Sequence, residues 1–402
     1  MAKTRQPHLN LLRGKSRAEK KNRVLAKPWK IVIGIVLGIA LLGAGYAGVL
    51  FVGQYAINHH LTDVAGVVDP NSDAYNTLAR SLLNIPLEQL HLPGVDSRDD
   101  GAKKFAAAQD TCQLQTVRLT YPVNAEKISA AQTAGAAHNI IAKMLFAVRL
   151  RDTDPAFVAS FDGCITAPNQ SAPTTLVLHT DNIFPWANRE EWGIAQTGFS
   201  RDVKTIDKAA DASDIEARMI VATGFVEQMR LYFTEREVYE KFFKPLRVLG
   251  NATQFAWGIM SIKEADAIDV ENHLNTRTSP YYLGTDKEHL LDFTSDDKTK
   301  ERMTRLTDEK NHYYSYLYGG LQLAQFMAQW KRANFPINDR PEVLATLYNI
   351  GFGKSKPNAD PKVGGSTLTI ADTQYTFGAL AFEFYYSGEM LDVFPYTTTT
   401  AQ

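Results

Sequence analysis

The chain has 402 residues with 43 Lys and Arg against 44 Asp and Glu, two cysteines and 45% hydrophobic side chains, enough length for several segments of different character. The near-neutral total hides an asymmetry, because ten basic residues and a single acid, Glu19, occupy the first 30 positions and leave 33 basic against 43 acidic in the rest. That mildly acidic remainder argues against a nucleic-acid partner, whose phosphates need Lys and Arg clustered on one face.

Residues 1–30 are polar and basic and read as a disordered cytoplasmic tail. Ile31 to Gly53 then run 23 residues without a charged side chain, and roughly 20 such residues carry a helix across the hydrocarbon. A cleaved signal has an apolar core of only about 7–15 residues. The expectation is therefore one uncleaved membrane helix over 31–53. The positive-inside bias keeps 1–30 in the cytoplasm and puts all that follows outside it. Gly34 and Gly38 form a GxxxG pair that would suit helix pairing, although glycines are common in membrane helices.

Residues 58–200 read as a small α+β region. A helical stretch covers Ala130 to Val148, strand-like runs cover Leu114 to Tyr121 and Thr174 to His179, and Asp, Pro and Gly clusters separate them. No catalytic constellation stands out, so a spacer, a partner-binding module or a cover for the next segment are the roles it fits. Cys112 and Cys164 both fall here. Outside the cytoplasm they can pair as a disulfide, and the other reading is two buried thiols.

From about 201 to 402 the pattern is helical. Ser213 and Glu216 have the spacing of a capping box ahead of Ile215, Met219, Ala222, Val226, Met229 and Phe233, steps of three and four that share one helix face. Glu227, next to Val226, falls at the margin of that face, where a carboxylate would line a cleft. Tyr313 to Trp330 reads as a core-facing helix. Gly364 to Ser366 reads as a loop, Thr367 to Ile370 as a short strand, and Phe377 to Tyr386 as a final apolar element. No P-loop, HExxH, G-x-S-x-G or EF-hand pattern occurs and the nine His show no ligand spacing, so neither a metal nor a cofactor is expected.

A lone acid of this kind has a known use. Breaking a glycosidic bond requires protonating a poor leaving group, which a carboxylic acid beside an apolar wall can do. Three segments resemble the lysozyme-like superfamily of lytic transglycosylases and goose-type lysozymes, in that family's order. Ile220-Val-Ala-Thr-Gly-Phe-Val-Glu227-Gln228 is similar to its apolar helix ending in the acid. Trp257-Gly258-Ile-Met260-Ser261-Ile-Lys263-Glu-Ala-Asp-Ala267 is similar to its cleft-lining G-L-M-Q-(I/L)-x-P-x-T-A segment. Ala345-Thr-Leu-Tyr348-Asn349-Ile-Gly351 resembles its A-x-Y-N-x-G motif.

The resemblance covers about residues 213–355 and implies Glu227 as the catalytic acid, with Gly258, Met260, Ser261, Tyr348 and Asn349 as substrate-binding residues. It also implies peptidoglycan glycan strands as the partner, with room for other envelope proteins, on the periplasmic or cell-wall side of a membrane. The sequence departs from the family at Gln228, where Ser is usual, at Ser261 for Gln, and at Glu264 for Pro. Thr234 to Asn251 looks inserted and brings rival acids at Glu235, Glu237 and Glu240. Arg230, three residues past Glu227, would hold that carboxyl ionised. A surface Glu paired to Arg, and a Tyr-Asn-Ile-Gly helix end, are the plain structural readings of these residues. The fold expected is thus mainly α, with a single N-terminal transmembrane helix, the α+β region over 58–200, and a lysozyme-like domain over 201–402. A lyase, a hydrolase and a non-catalytic scaffold all remain open.

Overall fold

Apolar residues recurring at steps of three and four need a continuous partner surface, and here they find it in one another. The computed structural model describes residues 100–168, 176–233 and 256–396, all inside a single compact unit spanning His60–Gln402. The architecture is mainly α. In chain order come α1 (Asp100–Thr120), α2 (Pro122–Thr133), α3 (His138–Arg151), α4 (Pro155–Thr166), α5 (Glu190–Ser213) and α6 (Ala217–Phe233). A hairpin of β1 (Ala256–Trp257) and β2 (Ile262–Lys263) leads into α7 (Glu264–Asn275), α8 (Lys298–Leu306), α9 (Tyr313–Arg332) and α10 (Pro341–Ile350). A second antiparallel hairpin, β3 (Thr367–Ile370) and β4 (Thr373–Thr376), precedes α11 (Phe377–Tyr386).

Local chemistry explains the helix starts. Proline opens α2, α4 and α10, where its missing N–H is no loss. Asp154 accepts from the amides of Ala156 (2.9 Å) and Phe157 (3.1 Å), and Asp297 and Thr376 do the same for α8 and α11. The expected capping box does not form. Ser213 ends α5 and turns its hydroxyl back to the carbonyl of Ala209 at 2.7 Å, while Asp214 takes a left-handed φ of 55°. Glu216 instead accepts from the Tyr385 hydroxyl.

The region 58–200 is corrected as well: its described residues hold helices and no strand. Leu114 to Tyr121, expected as a strand from its branched and aromatic residues, runs within α1 and just past its end. Leu114, Val117 and Tyr121 bury one face at helical spacing, and Thr116 and Thr120 bond back to carbonyls four residues earlier. The helix expected over Ala130–Val148 is broken in two near Gly135, whose φ is +82°. Of Thr174 to His179, residues 176–179 lie in no regular element. Cys112 on α1 and Cys164 on α4 are joined in a disulfide.

The boundary expected at 200 falls inside α5, and one core runs across it. Trp186 and Trp192 pack on Phe225 of α6 at 4.7 and 5.4 Å between ring centres, and Phe225 stacks on Phe384 of α11 at 4.6 Å. Arg218, fully buried on α6, donates to the carbonyls of Phe384, Tyr385, Glu389 and Phe394, fixing the end of α11 and the chain after it. The expected membrane helix over 31–53, the Thr234–Asn251 insertion and its three acids lie outside the described residues; among the described residues no helix is long and apolar enough to cross a membrane.

Candidate functional site

The apolar series that defines α6 is buried as expected at Ile215, Met219, Ala222, Val226 and Met229, yet Ile220, Val221 and Phe225, on its other faces, are equally buried. A helix that is apolar nearly all round is a central helix. Glu227 is therefore enclosed rather than marginal, with only 3% of its surface exposed. Its Oε2 accepts from Arg230 Nη1 at 2.9 Å, and Arg230 is itself buried. Burial opposes both charges, and each makes the other tolerable.

Glu227 lines a small, partly open depression. Its other walls are Ser261, Ile262 and Lys263 of the β1–β2 hairpin, Asp266 on the first turn of α7, Gln322 on α9, and Tyr348 and Asn349 near the end of α10. Residues from all three family-like segments thus meet at one place although more than a hundred positions separate the first from the last. Of the residues expected from sequence, Glu227, Ser261, Tyr348 and Asn349 line the depression.

Gly258 and Met260 do not line it; they build its wall. At Gly258 the φ is +73°, and a Cβ there would lie 2.2 Å from the Leu306 carbonyl oxygen, so the hairpin turns on a residue without a side chain. The tetrapeptide closes with Ser261 N donating to Gly258 O at 3.1 Å, and Ser261 also takes a positive φ of 49°. Met260 is fully buried. Its carbonyl accepts from the Tyr348 hydroxyl at 2.7 Å and its amide donates to Ser315 Oγ at 3.2 Å.

The departures from the family pattern have structural work. Gln228 Nε2 donates to the Ile259 carbonyl at 2.7 Å, tying the hairpin to α6. Glu264 is buried, 3.7 Å from Arg302, whose guanidinium is held in a fork by Glu271. Asn349 Oδ1 accepts the Ser366 amide at 2.7 Å, which docks the Gly364–Ser366 loop beside the site.

Lys263 and Asp266 lie within the second family-like segment but were not named as site residues, and Gln322 on α9 was not picked out from sequence at all. Among the described residues no group of three or more His, Cys, Asp or Glu side chains is placed to hold a metal ion. The site offers a buried carboxylate, a lysine, a second carboxylate and several hydrogen-bonding groups around a polar cleft, groups of the kind that can take part in proton transfer. No protein-family model, curated protein or solved structure matches the chain.

Proposed function

We propose that this chain is a membrane-anchored lytic transglycosylase that cleaves peptidoglycan glycan strands, with Glu227 acting first as acid and then as base. The observation that carries the proposal is the convergence of Glu227, Ser261, Tyr348 and Asn349 on one depression. In the cleavage step Glu227, protonated, gives its proton to the departing glycosidic oxygen. The resulting carboxylate then takes the proton of the sugar's own hydroxyl as that oxygen closes an anhydro ring on the anomeric carbon, so no water is consumed. Tyr348, fixed to the Met260 carbonyl, and Asn349, fixed to the Ser366 amide, hold the walls against which the sugar is oriented. The Cys112–Cys164 disulfide supports a location outside the cytoplasm.

The Glu227–Arg230 ion pair favours a second reading, a glycan-binding scaffold, because the carboxylate is already engaged by a buried guanidinium. Mass spectrometry of peptidoglycan treated with the full chain, beside its Glu227→Gln variant, separates these. Anhydro-muropeptides from the parent alone are expected. Reducing-end products would make it a hydrolase, activity persisting in Glu227→Gln would move the acid elsewhere, and strand binding without products from either would make it a scaffold.

A further inference from the structure

Three charged side chains line the depression, and they are not equally engaged. Glu227 is bound to Arg230. Asp266 sits on the first turn of α7. Lys263, at the end of β2, is half-buried, and no hydrogen bond or ion pair joins its ammonium to any described residue, Asp266 included, although both line the same cleft. An ammonium left in this position keeps its water until a ligand group replaces it. Ser261, Gln322 and Asn349 bring only neutral groups to the same cleft, so the ligand group that matches the charge of Lys263 is an anion.

The need for such a group is electrostatic. The chain beyond residue 30 carries ten more acidic than basic residues, so long-range forces repel an acidic polymer, and attraction must be supplied at the site itself. Resting on the proposed function, we infer that Lys263 binds a carboxylate carried by the glycan strand as it lies beside Glu227. Two carboxylates of such strands share this chemistry: the lactyl ether acid on the sugar ring, free once the peptide is removed, and the acids of an attached stem peptide.

The test is equilibrium binding by the full chain, with Glu227→Gln as the common background to prevent turnover, and with Lys263→Met and Lys263→Arg added to it. The probes are neutral chito-oligosaccharide, glycan strands stripped of peptide, and strands that retain it. Lys263→Met is expected to weaken carboxylate-bearing strands about tenfold and to leave chito-oligosaccharide within about twofold. Added salt narrows the difference, and Lys263→Arg restores most of the affinity. Loss on stripped strands assigns the lactyl acid, and loss confined to peptide-bearing strands assigns the stem peptide. Unchanged binding of every probe, or equal weakening of neutral and acidic probes, overturns the inference while leaving glycan recognition intact. A folded parent that binds none of the probes overturns the glycan reading beneath it.

Discussion

Glu227 and Gly258 illustrate two ways in which one residue makes this site. Glu227 is the residue to which the proposed function gives the reactive group; it was singled out because an acid interrupts an apolar helix and two further segments follow in a familiar order, while its enclosure, with 3% of its surface exposed, was not foreseen. Gln322 was not legible, since periodicity tells which face of an element is buried but not which residues of other elements close over it; Lys263 and Asp266 lay in a segment expected to line a cleft, but nothing in it marked either as a site residue. Gly258 contributes only backbone. With φ at +73° and the Leu306 carbonyl 2.2 Å from where a Cβ would sit, alanine there must displace either the hairpin or the end of α8. Gly258→Ala is expected to cost roughly 2–4 kcal/mol in unfolding free energy, read from urea midpoints. The same change should weaken glycan binding in the protein that remains folded, because Ser261 and Lys263 move with the turn. A loss of about 0.5 kcal/mol or less would mean that the turn does not hold the wall.

Among the elements, the α5–α9 contact combines burial with a charged latch. Asp202 on α5 accepts from His312 Nδ1, at the start of α9, and from the Tyr316 hydroxyl at 3.0 Å, with Arg201 Nε at 3.2 Å on its other oxygen. Burial pushes the Asp202 carboxyl up, but His312, Arg201 and Tyr316 together outweigh it and hold the carboxyl below its ordinary value. A depressed carboxyl adds stability above the unfolded value near 4 and loses it as pH falls through the folded value. Asp202→Asn should therefore cost about 1–2 kcal/mol between roughly pH 5 and 7, and the gap to the parent should close below about pH 4 in urea titrations. A gap that stays constant with pH would show that shape, not charge, holds the contact. These two helices also mark what sequence can and cannot give. The apolar pattern from Tyr313 to Trp330 dictated α9, and Thr367–Ile370 and Phe377–Tyr386 were equally plain. Leu114–Tyr121 was misread because its branched and aromatic residues suit a strand locally while packing against α4 selects a helix, and the box at Ser213 failed because the same hydroxyl satisfied the preceding helix instead.

Across the whole molecule the core ignores the division that composition implied. The 58–200 stretch supplies Trp186, Trp192 and Phe199 to the surroundings of α6, so the helix that carries Glu227 is buried in part by residues upstream of it. A second tie is polar: Arg151 of α3 pairs with Glu383 of α11, which also accepts from Trp186 Nε1 at 3.2 Å. Burial holds the Glu383 carboxyl above its ordinary value despite that guanidinium, and removing Arg151 and Trp186 would leave it without these two partners. Cutting at 200 would also divide α5 in the middle and strip its first turns from Phe225 and Phe384. Exposed aromatics of this size each forfeit about 2–3 kcal/mol of burial, against a net stability of about 5–15 kcal/mol for a whole domain. The fragment 201–402 is therefore expected to show helical far-ultraviolet circular dichroism without a cooperative thermal transition, and to aggregate, whereas the fragment 60–402 melts in one step. A sharp transition in 201–402 alone would mean that the site-bearing helices form their own core, and that the upstream helices are a cover laid on it rather than part of the fold that positions Glu227.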